Sequence, residues 1–203
     1  MASVDPLPSP GLPPERVLAA YHDGVRSLGH LAAKTIDWSV PTPCAGWTLL
    51  DLAGHVLCIA RYYHRLLNAA ADRAPLDRLP RGESLASFNA AELVALGPMP
   101  GDQRVVAFDA VARRYGERLE EVDWETTLGF WEQVGPLTVG QHALLAVGEW
   151  HLHAWDVARS FRWDYRPDDP EVVAAGQWLL PASGRRPDGD PWEAALAASG
   201  RRP

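Results

Sequence analysis

TVGQHALLAVGEWHLHAWDVARS, residues 138 to 160, is the stretch on which the reading of this chain turns. Thr138 stands three residues before Gln141, the spacing of a capping box, in which two side chains satisfy free backbone donors at a helix start. A helix opening there extends to about Ser160. Within it Glu149 and His153 are four residues apart, so they share a face and lie about 6 Å apart along the axis. A carboxylate oxygen and a neutral imidazole nitrogen so placed can converge on one metal ion. The same spacing is also common in helices as an ordinary hydrogen-bonded pair, so the surroundings have to decide.

Working outward, WSVPTPCAGWTLLDLAGHV, residues 38 to 56, changes from a proline-punctuated loop to a helix at Thr48. Thr48 and Asp51 form a second capping box, with Asp in the place more often taken by Glu or Gln. This helix runs from Leu49 to about Ala71, with Leu52, Val56, Ile59, Tyr63 and Leu66 as its buried stripe and His55 beside that stripe. A lone histidine in such a place is more often a core residue than a ligand. Brought to Glu149 and His153, however, His55 completes a His, His, Glu set that fills three zinc positions and leaves a fourth for water or substrate.

Two more long helices accompany these. Pro13 and Pro14 suit the opening of a first helix, where missing amide donors cost little, and Val17, Leu18, Tyr21, Val25, Leu28 and Leu31 follow at steps of three and four despite Gly24 and Gly29. Val105, Phe108, Ala112, Tyr115 and Leu119 mark another over Gln103 to Val122, whose wet face carries Arg113, Arg114, Glu117, Glu120 and Glu121. Four amphipathic helices bury their stripes against one another, which predicts an all-α four-helix bundle. The connections are long: Asp72 to Asp102 holds a short helix over Leu85 to Leu96, and the aromatic stretch from Trp124 to Pro136 suggests an extended arm or short hairpin that could wall a cleft with Trp124 and Trp131. Residues 1–12 read as an irregular lead-in, 13–160 as the metal-binding bundle, and 161–203 as a C-terminal extension packed on it, with a helical stretch from Pro170 to Leu180.

PCAGWTLLDLAGHV followed later by EWHLHAWDVA resembles the mycothiol-dependent maleylpyruvate isomerase-like family within the DinB-type metal-binding bundles. Cys44, Gly46, Trp47, Asp51 and Leu52 fit the first motif, and Trp155, Asp156, Val157 and Ala158 the second. The terminal LAASGRRP is similar to the closing tail of that family. The resemblance covers nearly the whole chain and implies a DinB-like four-helix bundle, with a divalent metal held by His55, Glu149 and His153. It also implies a low-molecular-weight thiol, mycothiol or another, as cosubstrate. No room remains after the tail for the additional C-terminal domain of full-length isomerases in this group, so a pocket wall from that domain is not expected.

Other side chains sort around this set. His151, two residues from both Glu149 and His153, faces elsewhere on the helix. His142 can lie on the ligand side farther down the bundle, as a core residue or a support. Asp156 follows His153 by three and can hold the outer nitrogen of its ring, or else cap the helix or pair with Arg159. Trp47 and Trp155 are the candidate cleft aromatics because they adjoin the ligands. Cys44 is assigned to loop packing and Cys58 to the core, although their spacing leaves a disulfide between them open.

Composition narrows the function. The 203 residues carry 19 basic and 26 acidic side chains, a net charge of −7, which disfavours a nucleic-acid partner. Two cysteines make no disulfide framework, and the start lacks the basic and apolar regions of a secretory signal. With no apolar run of about 20 residues to span a membrane, a cytoplasmic protein is expected. The leading expectation is a metal- and thiol-dependent transferase or isomerase acting on a small electrophile, as monomer or homodimer. Zinc is preferred, with nickel or iron open to the same ligands. A metal-dependent hydrolase and a noncatalytic, metal-stabilised binding protein are the alternatives.

Overall fold

A computed structural model describes residues 11–72, 85–131, 135–179 and 189–201. Most of the expected lead-in, residues 1–10, lies outside the described residues, as do residues 180–188, which include Leu180 at the end of the expected helical stretch. In chain order the elements are α1 Pro14–Ala32, α2 Leu49–Ala71, α3 Leu85–Leu96, α4 Gly101–Leu119, β1 Thr127–Trp131, β2 Gly135–Thr138, α5 Val139–Ser160, α6 Pro170–Trp178 and α7 Pro191–Ala198.

The four long helices close a ring. α2 packs on α4, α4 on α1, α1 on α5, and α5 on α2, so each buries its stripe between two neighbours. Tyr21, Val25 and Leu28 of α1, Leu52, Val56 and Tyr63 of α2, Phe108 and Tyr115 of α4, and Val147 and Trp150 of α5 fill the centre. Gly24 permits the approach of α1 to α5: a side-chain carbon added there would lie 3.0 Å from Cβ of Trp150 and 3.1 Å from the His151 ring.

Both capping boxes form. Thr48 Oγ1 accepts from the Asp51 amide at 3.3 Å while the Asp51 carboxylate accepts from the Thr48 amide at 2.9 Å. At α5, Thr138 Oγ1 accepts from the Gln141 amide at 3.2 Å and the Gln141 side chain accepts from the Thr138 amide at 2.9 Å. These bonds fix where α2 and α5 begin, and hence the register at which His55, Glu149 and His153 arrive. The buried Arg104 of α4 adds a clamp, donating from Nη1 to the Leu50 carbonyl and from Nε to the Met99 carbonyl, each at 2.8 Å.

The stretch before α5 is an antiparallel hairpin of β1 and β2, pairing Gly129 with Leu137 and Trp131 with Gly135. It packs on α2 and leads straight into α5. It therefore sits at the α5 N-terminus, where Trp124 donates its indole N–H to the Leu119 carbonyl at 2.9 Å. His153 is fourteen residues beyond Val139, roughly 20 Å at 1.5 Å per residue, so the Trp124 region anchors the base of the bundle instead of walling the site. The Trp131 side chain lies outside the described residues. Beyond α5, α6 packs on α5 and α7 on α6, layering the C-terminal extension onto the bundle.

Candidate metal centre

Helix periodicity places Glu149 and His153 on the α5 face that meets α2. Nε2 of His153 lies 3.3 Å and Nε2 of His55 3.9 Å from Oε2 of Glu149, and the three donor atoms all fall within 4.8 Å of one another. A tetrahedral ion with bonds of about 2.1 Å holds its donors about 3.4 Å apart, so the set is close to the size a small divalent cation needs. His55 and His153 are buried, whereas the Glu149 side chain keeps 33% of its surface exposed. Access to the cluster is therefore from the carboxylate side.

Charge is distributed unevenly over the three. Burial opposes ionisation of Glu149, but the His153 and His55 imidazoles facing its carboxylate outweigh it and hold its pKa well below the usual carboxylate range. His55 is pushed down by burial, against the pull of Glu149. Burial also works against a charge on His153, but Asp156, Cys44 and Glu149 together hold its pKa well above the ordinary histidine value.

Asp156 is fully buried, and its Oδ2 lies 2.9 Å from Nδ1 of His153. That is the support expected of an outer carboxylate, and it leaves Nε2 facing Glu149. The partner in the alternative reading, Arg159, instead lies over the Trp155 ring at 6.0 Å. Two further side chains complete the network: Cys44 Sγ donates to Asp156 Oδ2 at 3.2 Å, and Arg201 donates from Nε to Oδ1 at 2.9 Å and from Nη2 to Oδ2 at 2.5 Å. Burial raises the pKa of Asp156, but the bonds from His153 and Arg201 outweigh it and keep that pKa well below the usual carboxylate range.

Cys44, His153 and Asp156 form a second set of donor atoms within 4.8 Å of one another. There, however, Arg201 already neutralises the carboxylate, and Nδ1 of His153 is engaged with it. A cation would have to displace both. Among the described residues no arginine or lysine is paired with the Glu149 carboxylate, so the His55, Glu149 and His153 set is the better candidate metal site.

The remaining candidates separate clearly. Trp47 stands against the imidazole of His55, ring centroids 4.8 Å apart, and is half-buried at the edge of the cluster. A β-turn presents it: the Trp47 amide donates to the Cys44 carbonyl at 3.0 Å, and Gly46 takes φ 80°, a conformation that costs glycine little. Trp155 is buried in the core. His151 turns toward α1, with Nε2 2.9 Å from the Ala20 carbonyl and Nδ1 2.6 Å from the Tyr165 hydroxyl. His142 is buried with Nδ1 2.9 Å from the Tyr115 hydroxyl. Cys58 donates to the Glu92 carbonyl at 3.6 Å, and both cysteines are free thiols.

Sequence reasoning missed the placement of Cys44 beside Asp156 and missed Arg201 altogether. The available signals were the turn-forming Cys-Ala-Gly-Trp segment and the Gly-Arg pair of the closing tail, but neither says which distant carboxylate it will meet.

The ring of four helices and the His, Glu, His cluster between two of them define a DinB-type metal-binding bundle. Residues 18–158 match the family described as the mycothiol maleylpyruvate isomerase N-terminal domain, and the chain belongs to that family. Among solved structures, the mycothiol-dependent maleylpyruvate isomerase is similar with a TM-score of 0.64 at 17% identity, covering 82% of this chain and 68% of that one. A histidine-to-alanine mutant of that isomerase gives the same values. At this identity the likeness shows the shared fold. No curated protein is a significant match. Among the described residues no helix is long and apolar enough to cross a membrane.

Proposed function

We propose that the chain is a divalent-metal-dependent enzyme that uses a low-molecular-weight thiol, mycothiol or a close chemical relative, to isomerise a small electrophile or transfer the thiol to it. The observation that carries this reading is the convergence of two buried imidazoles and one partly exposed carboxylate from α2 and α5, supported by family membership. His55, Glu149 and His153 would hold the ion. Zinc suits two nitrogens and one oxygen, and nickel and iron accept the same donors. Bound there, such a cation favours thiolate over thiol and polarises a carbonyl.

The chain's own residues supply placement. Asp156 holds Nδ1 of His153 and so directs Nε2 toward Glu149. Trp47 covers His55 and keeps water from that side of the imidazole. The Cys44 thiol is engaged with Asp156, so the attacking sulfur comes from the cosubstrate. For an activated alkene such as maleylpyruvate, addition of that sulfur turns the double bond into a rotatable single bond. Elimination of the same thiol after rotation restores the alkene and returns the thiol unchanged.

The test is metal analysis of protein purified without an immobilised-metal column, followed by turnover of maleylpyruvate and related electrophiles with and without added thiol. One equivalent of metal, lost in His153→Ala, and turnover that vanishes without thiol and returns on its addition are expected. Full metal content and turnover in His153→Ala would refute the ligand set. Hydrolysis products that still form in the absence of every small thiol would make the enzyme a hydrolase.

A further inference from the structure

The C-terminal extension reaches into the site through one side chain. Arg201 comes 45 residues after Asp156 in sequence and is 15% exposed at its side chain, against 0% for Asp156. Its guanidinium takes both carboxylate oxygens, Nε to Oδ1 and Nη2 to Oδ2, a two-point grip that fixes the plane of the carboxylate as well as its charge. The oxygen that receives Nη2 is the same one that faces Nδ1 of His153. The chain of contact therefore runs from Arg201 through Asp156 to His153, and His153 Nε2 stands 3.3 Å from Glu149.

The local sequence is built to aim this arginine. Asp190 caps α7 by accepting from the amides of Trp192 at 2.8 Å and Glu193 at 3.1 Å, and Trp192, Ala195 and Leu196 are buried. At the other end Gly200 takes φ 78°, its amide donates to the Ala197 carbonyl at 3.0 Å, and the Arg201 amide donates to the Leu196 carbonyl at 2.8 Å. This pair of bonds is a Schellman motif, which needs a left-handed residue at the position of Gly200 and turns the chain back after the helix. The turn delivers Arg201 to Asp156, while Arg159, one helical turn from Asp156, is held over Trp155.

We propose that Arg201 is a positioning residue of the metal site: the tail locks Asp156, which in turn sets the ring orientation and proton placement of His153. This rests on the reading of His55, Glu149 and His153 as metal ligands, and it makes the C-terminal extension a working part of the site. Outer partners of metal-bound histidines typically change metal affinity by about 10–100-fold when removed.

The experiment measures zinc affinity by competition with a chromogenic chelator for the wild type, Arg201→Met, Arg201→Lys and Gly200→Ala. Circular dichroism confirms folding, and nitrogen-15 NMR of the metal-free proteins reports the His153 ring. Arg201→Met should weaken zinc binding about 10–100-fold, with Arg201→Lys in between. Gly200→Ala, which keeps the charge but disturbs its delivery, should weaken binding in the same direction. The Nδ1-bound proton of His153 should give a protected signal in the wild type that is lost in Arg201→Met. If Arg201→Met does not fold, the lysine and Gly200→Ala variants carry the comparison. Zinc affinities within twofold of wild type, or an unchanged His153 signal in folded variants, overturn the proposal. A wild type that binds no zinc while its His153 signal still responds to Arg201 would overturn the ligand assignment and leave the positioning of His153 standing.

Discussion

Replacing His142 with leucine isolates a single buried titration. His142 is 1% exposed, Nδ1 meets the Tyr115 hydroxyl, the Tyr63 ring stands edge-on at 4.3 Å, and Nε2 has no partner among the described residues. Burial pushes its pKa down from 6.5 to about 3. The folded state thus refuses a proton that the unfolded chain accepts below pH 6.5, and stability is lost as pH falls from there toward 3. At about 1.4 kcal/mol per pH unit, the 1.5 units between 6.5 and 5 amount to about 2 kcal/mol.

Urea unfolding of both proteins at pH 7, 6 and 5, with a chelator present, gives the comparison. The wild type should lose about 2 kcal/mol more than His142→Leu between pH 7 and pH 5. Leaving the Tyr115 hydroxyl unpartnered costs the variant about 1–3 kcal/mol at every pH, which shifts its curve without changing the slope. Parallel pH profiles for the two proteins would refute the account of His142 as a buried neutral imidazole.

Three other outcomes follow from the structure. Gly24→Ala forces a carbon against Trp150 and His151 and should destabilise by about 1–3 kcal/mol in urea, and an unchanged midpoint would mean that α1 and α5 are not so close. Thr138→Ala removes the cap of α5 and should cost about 1 kcal/mol of stability, checked by the melting temperature in chelator, where an unchanged melting temperature would show that the capping box contributes nothing. Zinc at about a hundredfold over its Kd should stabilise the wild type by about 2.7 kcal/mol and His153→Ala far less, and equal melting shifts on chelation would show that the metal binds elsewhere.

Much of the fold could be read from local chemistry. The Thr48 and Thr138 boxes set the starts of α2 and α5 because capping bonds join residues three apart. The stripe on α2 and the 3.6-residue period fixed which faces turned inward, and so put His55 near Glu149 and His153. The limits of α4 differed, Gly101–Leu119 against the expected Gln103 to Val122, because amphipathic spacing does not register how a helix end is closed. The extended segment before α5 became a defined hairpin only through its pairing, and it lies at the base of the bundle.

The candidate donor set was present in the sequence because its geometry is mostly intrahelical: a four-residue spacing on one helix fixes two of the three candidate ligands, and a capped amphipathic partner brings the third. What surrounds His153 belongs to the tertiary structure alone. Asp156 could have paired with Arg159 one turn away, but the bundle buried it where Arg201 arrives from the far end of the chain and Cys44 from the loop before α2. Sequence periodicity governs contacts a few residues apart. A buried carboxylate takes whichever charge the packing of distant segments delivers, and that choice exists only once the helices have closed around it.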